Sequence, residues 1–213
     1  MEENWTREFD EMASALPFVK SEDIPDIDLY MDQVLTFLER KLAPISGEPS
    51  DKPVTKTMIN NYVKANVLPA PEKKKYTKEH MIYLLLLYCL KSLYSIDDSG
   101  KLLSMVRELT EETKTPEKEK KAEDGKKEEG AKQTPLLSLP EIFDLLNEDL
   151  KEQVESTTKS AEEAFEKASA SFRDLDCTEE QREELQTFEA LMRLSLDAYL
   201  KKRFVEHLLT KEK

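Results

Sequence analysis

Glycine is scarce in this sequence, with four residues among 213. The sequence contains no Gly-rich phosphate loop, no nucleophile elbow and no H-E-x-x-H helix, so the motifs that carry common catalytic chemistries are missing. Its carboxylates occur in runs such as Glu179, Glu180, Glu183 and Glu184, which are typical of a solvated helix face rather than of a paired acid and base. We therefore expect no enzymatic activity.

Cysteine and histidine are rarer still, with two residues of each. Cys89 and Cys177 have no partner at the spacing of a metal site or a redox motif, so we expect two reduced thiols. His80 and His207 have no Cys, Asp or Glu arranged near them in the sequence as metal ligands. The sequence therefore predicts no metal and no cofactor, and it favours a structural or solvated role for both histidines.

Long apolar runs are also missing. The longest run, residues 81–90, is too short to cross a bilayer and is typical of a buried helix. The first residues, MEENWTREFDEM, do not place an apolar segment after a positively charged one, so we expect no signal peptide. These patterns predict a cytoplasmic protein that does not associate with membranes.

Charge is abundant, because charged residues make up 36% of the chain and hydrophobic residues 38%. This balance is typical of helical and partly extended proteins, and we interpret the fold as all-α. The formal net charge is -13, but residues 50–92 carry 8 basic and 3 acidic side chains, a net charge of +5. A basic island between acidic flanks is the charge pattern expected of a nucleic-acid-binding protein whose other segments have another task.

Helical periodicity and composition divide the chain into four parts. Residues 1–24 are expected to form an N-terminal helix with an acidic connection, and residues 25–112 a small helical domain. Residues 113–134 contain no aromatic and no large aliphatic side chain, so we expect a disordered charged linker there. Residues 135–213 carry two long helical patterns that predict an antiparallel hairpin. The predicted helices span about 5–16, 28–42, 56–65, 78–92, 96–109, 139–173 and 178–209.

The most informative segment is residues 53–103, where a short capped helix, a Pro-rich basic loop and a long apolar helix follow one another. Thr55 or Thr57 is expected to cap the short helix, and Asn66 stands where a helix ends in a left-handed residue. Thr77 is expected to cap the apolar helix, which we expect to form the core of the domain. This order of elements is that of a small winged helix-turn-helix.

The segment resembles the DNA-binding domain of the MerR family and, more closely, an uncharacterised bacterial family known as domain of unknown function eighteen thirty-six. The resemblance covers roughly residues 29–109. In MerR-like proteins a recognition helix of the form T-L-R-Y-Y-E precedes G-L-L and prolines, and a wing ending in R-x-Y leads into a third helix. Here the matching letters are MINNYV at 58–63, NVLP at 66–69, and Lys75 with Tyr76. The resemblance implies an all-α protein with a MerR-like winged helix-turn-helix domain, a disordered linker and a C-terminal helical hairpin.

The resemblance and the basic surroundings also imply a set of DNA-binding residues. Asn reads adenine, and lysines in a wing bind phosphates, although a charge run alone is more typical of a solvated loop. The phosphate-contacting Arg of the MerR family is replaced by Asn60, which exchanges a charge-assisted contact for a neutral hydrogen bond. For Tyr76 a core role is favoured over a phosphate contact. The predicted DNA-binding residues are Thr55, Lys56, Thr57, Asn60, Asn61, Tyr62, Lys73, Lys74, Lys75 and Tyr76.

Two functions follow as hypotheses. The first is a dimeric, MerR-like transcriptional regulator that binds double-stranded DNA and uses its C-terminal hairpin for dimerisation or signal sensing. The second is a protein-interaction adaptor that keeps the fold without DNA binding, which Asn60 and the negative net charge favour. A dense apolar stripe over residues 185–208 leaves apolar surface for a second copy or another subunit to cover. We expect a homodimer, with a protein partner as the alternative.

Overall fold

The computed structural model describes residues 11–13, 19–42, 53–111 and 137–211. Regular structure in these ranges is predominantly helical, which confirms the all-α prediction. The predicted linker at 113–134 and most of the helix predicted at 5–16 lie outside the described residues. The described helices are α1 (Met31–Leu42), α2 (Lys56–Lys64), α3 (Lys78–Leu90), α4 (Ile96–Glu111), α5 (Leu139–Ser169) and α6 (Glu179–Lys211).

The described residues fall into two compact units. The central unit draws on residues 20–34 and 56–145 and contains α2, α3 and α4. The hairpin unit contains α6 and most of α5. All of the predicted DNA-binding residues except Thr55 belong to the central unit.

Helix α3 is the core of the central unit, as predicted. Its sequence is apolar on every side between Met81 and Leu87, so no face of the helix is suited to water. Burying one such aliphatic side chain contributes roughly 1.5–3 kcal/mol, which makes α3 the main source of hydrophobic stability in the unit. Its buried residues are His80, Met81, Ile82, Tyr83, Leu84, Leu85 and Leu87.

A short antiparallel strand pair corrects the prediction that a helix begins at residue 28. Strand β1 (Leu29–Tyr30) pairs with strand β2 (Lys75–Tyr76), with Leu29 opposite Tyr76 and Tyr30 opposite Lys75. Leu29 and Tyr76 are both buried, because opposite residues of a strand pair point to the same face. The pairing outweighs the helical periodicity of these two residues, and α1 begins only at Met31.

Helix α2 ends in the left-handed residue predicted from the sequence. Asn66 has a φ of 57°, and the N–H of Val67 donates to the Tyr62 carbonyl at 2.9 Å while the Asn66 N–H donates to the Val63 carbonyl at 3.1 Å. These two hydrogen bonds form a Schellman motif, which satisfies carbonyls that a helix end leaves free. Val67 and Tyr62 are both buried at the same turn, which fixes the direction in which the chain leaves α2.

Helix α4 holds this turn in place. The Arg107 guanidinium donates to the carbonyls of Asn66 at 3.1 Å and Val67 at 2.6 Å. Gly100 lies inside α4 although it lowers helix propensity, because a Cβ there would come within 3.1 Å of the Val67 side chain. Ser95 caps α4 as predicted, with its Oγ accepting from the Asp98 N–H at 3.1 Å.

In the hairpin unit, α5 and α6 are joined by a turn that side chains of α6 secure. Arg182 donates to the carbonyls of Phe172 and Leu175, and the Gln186 side chain donates to the Ser169 carbonyl at 3.0 Å. Helix α5 ends at Ser169, four residues before the predicted end, and Phe172 then takes a φ of 61°. In the part of the chain that the structure describes, no helix is long and apolar enough to cross a membrane.

Candidate nucleic-acid interface

Helix α2 has one buried face and one polar, exposed face. Ile59 and Tyr62 are buried, three residues apart, and anchor the helix to the unit. The exposed residues follow one another at spacings of one, three and four, so they share a single face that points to solvent. These exposed residues are Lys56, Thr57, Asn60, Asn61 and Lys64. Four predicted DNA-binding residues therefore lie together, while Thr55 is half-buried just before the helix.

Lys64 was not among the predicted DNA-binding residues, yet it extends the same face. It lies four residues after Asn60, one helical turn further on, and is exposed. The sequence signal that could have identified Lys64 is its helical spacing from Lys56 and Asn60. The face thus carries a lysine near each end with amide and hydroxyl side chains between them.

The wing, residues 70–76, turns through two lysines in the left-handed conformation. Lys73 has a φ of 48° and Lys74 a φ of 66°, and the Lys75 N–H donates to the Glu72 carbonyl at 2.8 Å. Two left-handed residues between bridged neighbours are the signature of a type I′ hairpin turn, for which Asn-Gly is the preferred sequence. A residue other than Gly or Asn loses roughly 1 kcal/mol in this conformation. Both lysine side chains are exposed at the tip of this turn.

Lys75 and the two tyrosines are placed differently from the tip. Lys75 is half-buried, and its ammonium lies 5.9 Å from the centre of the Tyr30 ring. Tyr62 and Tyr76 are 6% and 4% exposed, and burial raises the pKa of both hydroxyl groups. These rings contribute to the core that supports α2 and the wing, and they offer little surface to a ligand.

His80 links the wing to the start of α3. The Thr77 N–H donates to His80 Nδ1 at 3.1 Å, and Thr77 Oγ1 lies 2.8 Å from the same nitrogen, so His80 takes the place of Glu or Gln in a capping box. The ring meets Tyr76 edge-on, with 5.5 Å between ring centres. Burial lowers the pKa of His80, although the carbonyls of Pro69 and Ala70 act in the opposite direction. A neutral ring is what Nδ1 needs to accept from Thr77.

The side chains of α2 and the wing carry a net positive charge. An ion pair next to the wing neutralises part of the positive charge around the site. Residues 53–92 carry 7 basic and 2 acidic side chains. The Lys78 ammonium at the start of α3 lies 2.7 Å from a carboxylate oxygen of Asp26, so its charge is engaged within the unit. The exposed positive groups are therefore the two ends of α2 and the tip of the wing.

A known family model matches the segment that contains this site. Residues 19–123 match the family model described as Domain of unknown function (DUF1836), which confirms the resemblance to that uncharacterised family. Neither the curated proteins nor the solved structures gave a match. The matched segment includes α2, the wing, α3 and α4, together with every predicted DNA-binding residue.

Proposed function

We propose that the central unit is a MerR-like winged helix-turn-helix that binds double-stranded DNA, within a transcriptional regulator that acts as a dimer. The observation that carries the proposal is the pair of exposed lysines at the strained tip of the wing, next in sequence to a helix with a polar, amide-rich face. A basic loop beside such a helix is the arrangement by which winged domains bind a phosphate backbone and read a groove.

The tip of the wing supports the proposal because the two lysines at the tip destabilise the turn that they form. An Asn-Gly pair at positions 73 and 74 would form the same turn without the cost of placing lysine in the left-handed region. Strain of this kind is typically retained where it serves a function. Two ammonium groups held at a tight tip are suited to neighbouring phosphate oxygens.

In the proposed complex, α2 lies in the major groove. Asn60 and Asn61 present side-chain amides, which donate to and accept from an adenine edge. Lys56 and Lys64 at the two ends of the exposed face contact phosphates, which fix the register of the helix without reading sequence. Thr57 lies between them and contacts either a base edge or the backbone.

The expected affinity of one unit is low. Lys56, Lys64, Lys73 and Lys74 offer four phosphate contacts, each of which contributes about 0.9 to the slope of log affinity against log salt concentration. A slope of roughly -4 implies that the affinity for DNA falls steeply as the salt concentration rises. Two units in a dimer would double the contacts and raise the affinity through effective concentration.

A mobility-shift experiment at low salt with the full chain and a pool of genomic fragments tests the proposal. We expect sequence-preferring binding that Lys56→Glu or Lys74→Glu abolishes. Lys91→Glu is the matched control, because it makes the same charge change at an exposed lysine after the end of α3, roughly 20 Å along that helix from the wing. Absence of binding to any fragment, or equal losses in all three variants, would contradict the proposal.

The second candidate is an adaptor that binds protein instead of DNA. It is favoured by the engagement of Lys78 with Asp26, which removes one positive charge from the surroundings of the wing, and by Asn60 in place of an arginine. A pull-down from lysate distinguishes the two. One stoichiometric protein partner that survives nuclease treatment supports the adaptor, whereas nuclease-sensitive recovery of nucleic acid alone supports the regulator.

A further inference from the structure

His80 lies between the two ends of the wing. At the end of the wing, the Thr77 N–H donates to His80 Nδ1 at 3.1 Å, and the Tyr76 ring meets the His80 ring edge-on. At its start, the carbonyls of Pro69 and Ala70 face the same ring. His80 itself belongs to the first turn of α3, the core helix, and is only 8% exposed. One side chain therefore joins both ends of the wing to the core.

This arrangement requires a neutral imidazole ring. Because Nδ1 of His80 accepts from the Thr77 N–H, the single proton of the neutral ring is on Nε2. Nε2 is buried and, within the described residues, has no hydrogen-bond partner. A second proton would bind at Nδ1 and place a positive charge in this buried ring. The Thr77 hydroxyl, 2.8 Å from Nδ1, can accept from the new N–H, but the Thr77 backbone N–H then loses its acceptor.

The groups around His80 offset this cost only in part. Burial is the largest effect on the pKa of His80 and holds it below its ordinary 6.5. The two carbonyls at the start of the wing act in the opposite direction, as do the carboxylates of Glu79 on α3 and Asp28 just before β1. Burial raises the pKa of the Tyr76 hydroxyl, so this neighbour stays neutral in the same pH range. The closed arrangement therefore binds a proton less tightly than an exposed histidine does.

We propose that His80 is an acid-sensitive latch, whose protonation releases the wing from the first turn of α3 while the core of the unit stays folded. Release exposes the ring to water, so the open state binds the proton more tightly and acid populates that state. The wing is a small element to hold, because each strand of its pair has two residues and its tip contains two left-handed lysines. Loss of one capping interaction typically changes such an equilibrium by roughly fivefold.

Release of the wing should weaken DNA binding at low pH, a consequence that rests on the proposed function. Lys73 and Lys74 would lose the fixed turn that holds their side chains together at the tip. Phosphate contacts made by a mobile loop carry the additional entropy cost of ordering that loop on binding. The latch itself requires no DNA, so the free chain is sufficient to test it.

Hydrogen exchange of the full chain, followed by NMR at pH values between 7.5 and 5, tests the latch. Protection factors remove the intrinsic pH dependence of exchange. We expect the protection of the Thr77 amide and of the Lys75 amide, which donates to the Glu72 carbonyl, to fall several-fold as the pH drops. The amide of Leu85 in the core of α3 should stay more protected than both at every pH. The His80 ring should titrate over the pH range in which the wing loses protection.

Two variants assign the effect to His80. His80→Gln keeps an acceptor for the Thr77 N–H but does not titrate, so its wing amides should be equally protected at both ends of the pH range. His207→Gln is the matched control, because it removes the other histidine, an exposed residue of α6, and should keep the pH dependence of the wild type. Wing protection that does not change with pH in the wild type, or that falls as much in His80→Gln, would overturn the latch. Equal protection of the wing and Leu85 would overturn it too, because the wing would then open only with the whole unit.

Should His80→Gln fail to fold, the wild type still decides, because a loss of wing protection at a pH where the His80 ring does not titrate contradicts the latch. Binding titrations at the two ends of the pH range measure the consequence for DNA. Acid adds positive charge to wild type and His80→Gln alike, so the ratio of their affinities reports the wing. We expect this ratio to be several-fold lower at the acid end. A constant ratio with responsive wing amides would support the latch and contradict a role of the wing in DNA binding.

Discussion

Replacing the two lysines at the tip of the wing with Asn-Gly should raise stability and weaken DNA binding in the same molecule. Lys73→Asn with Lys74→Gly removes two left-handed lysines, each of which loses roughly 1 kcal/mol in that conformation. Glycine offsets about half of this stabilisation, because it increases the conformational entropy of the unfolded chain. We expect a net gain of about 1 kcal/mol, which raises the melting temperature of a unit of this size by roughly 4–8 °C.

The same variant loses two phosphate contacts, so the slope of log affinity against log salt should become shallower by roughly 2. Thermal unfolding by circular dichroism and binding titrations at several salt concentrations measure the two effects. The control variant Lys73→Gln with Lys74→Gln removes the charge but keeps residues that disfavour the turn, so binding should weaken without the gain in stability. An Asn-Gly variant with an unchanged salt slope, or one that is no more stable than the Gln control, would refute the reasoning.

Two further predictions concern the residues that hold the wing and the end of α2. Arg107→Met should lower the free energy of unfolding by about 1–3 kcal/mol, because the carbonyls of Asn66 and Val67 lose their donors, and chemical denaturation measures this loss. Burial lowers the pKa of His80 below its ordinary 6.5, so the unfolded chain binds a proton that the folded chain does not. The free energy of unfolding should therefore decrease as the pH drops below 6.5. His80→Gln, which keeps an acceptor for the Thr77 N–H, should reduce this pH dependence in unfolding measured between pH 7.5 and 5.

Local chemistry made several features of the central unit predictable from sequence. Asn66 tolerates the left-handed conformation that ends α2, and its φ of 57° confirms that prediction. Thr77 starts α3 as expected, and the continuous apolar run that follows can only be accommodated in a core. Each of these signals lies within a few residues of the structure it specifies.

Contacts between distant residues were not predictable in this way. Strand β1 exists because Leu29–Tyr30 meets Lys75–Tyr76, and nothing within residues 28–42 alone distinguishes an extended start from a helical one. The hydroxyl of Ser21 donates to the carboxylate of Asp144 at 2.5 Å across 123 residues of sequence, a pairing that no local pattern encodes. Interactions of this kind depend on the tertiary fold.

In the candidate site, too, some features were predictable from the local sequence and others were not. The resemblance and the basic surroundings selected Lys56, Asn60 and Asn61, and helical spacing is sufficient to place these three residues on one exposed face. The left-handed turn at Lys73 and Lys74 was not predictable, because lysine carries no preference for that conformation and the bridge between Glu72 and Lys75 imposes it.

Selection of genomic fragments by the full chain at low salt is the most direct measurement of DNA recognition by α2. The wild type should enrich fragments that share a short motif containing adenine, and Asn60→Ala with Asn61→Ala should bind the pool without enriching that motif. If the wild type enriches no motif, or if the double variant enriches the same one, the proposal that the exposed face of α2 reads DNA is contradicted.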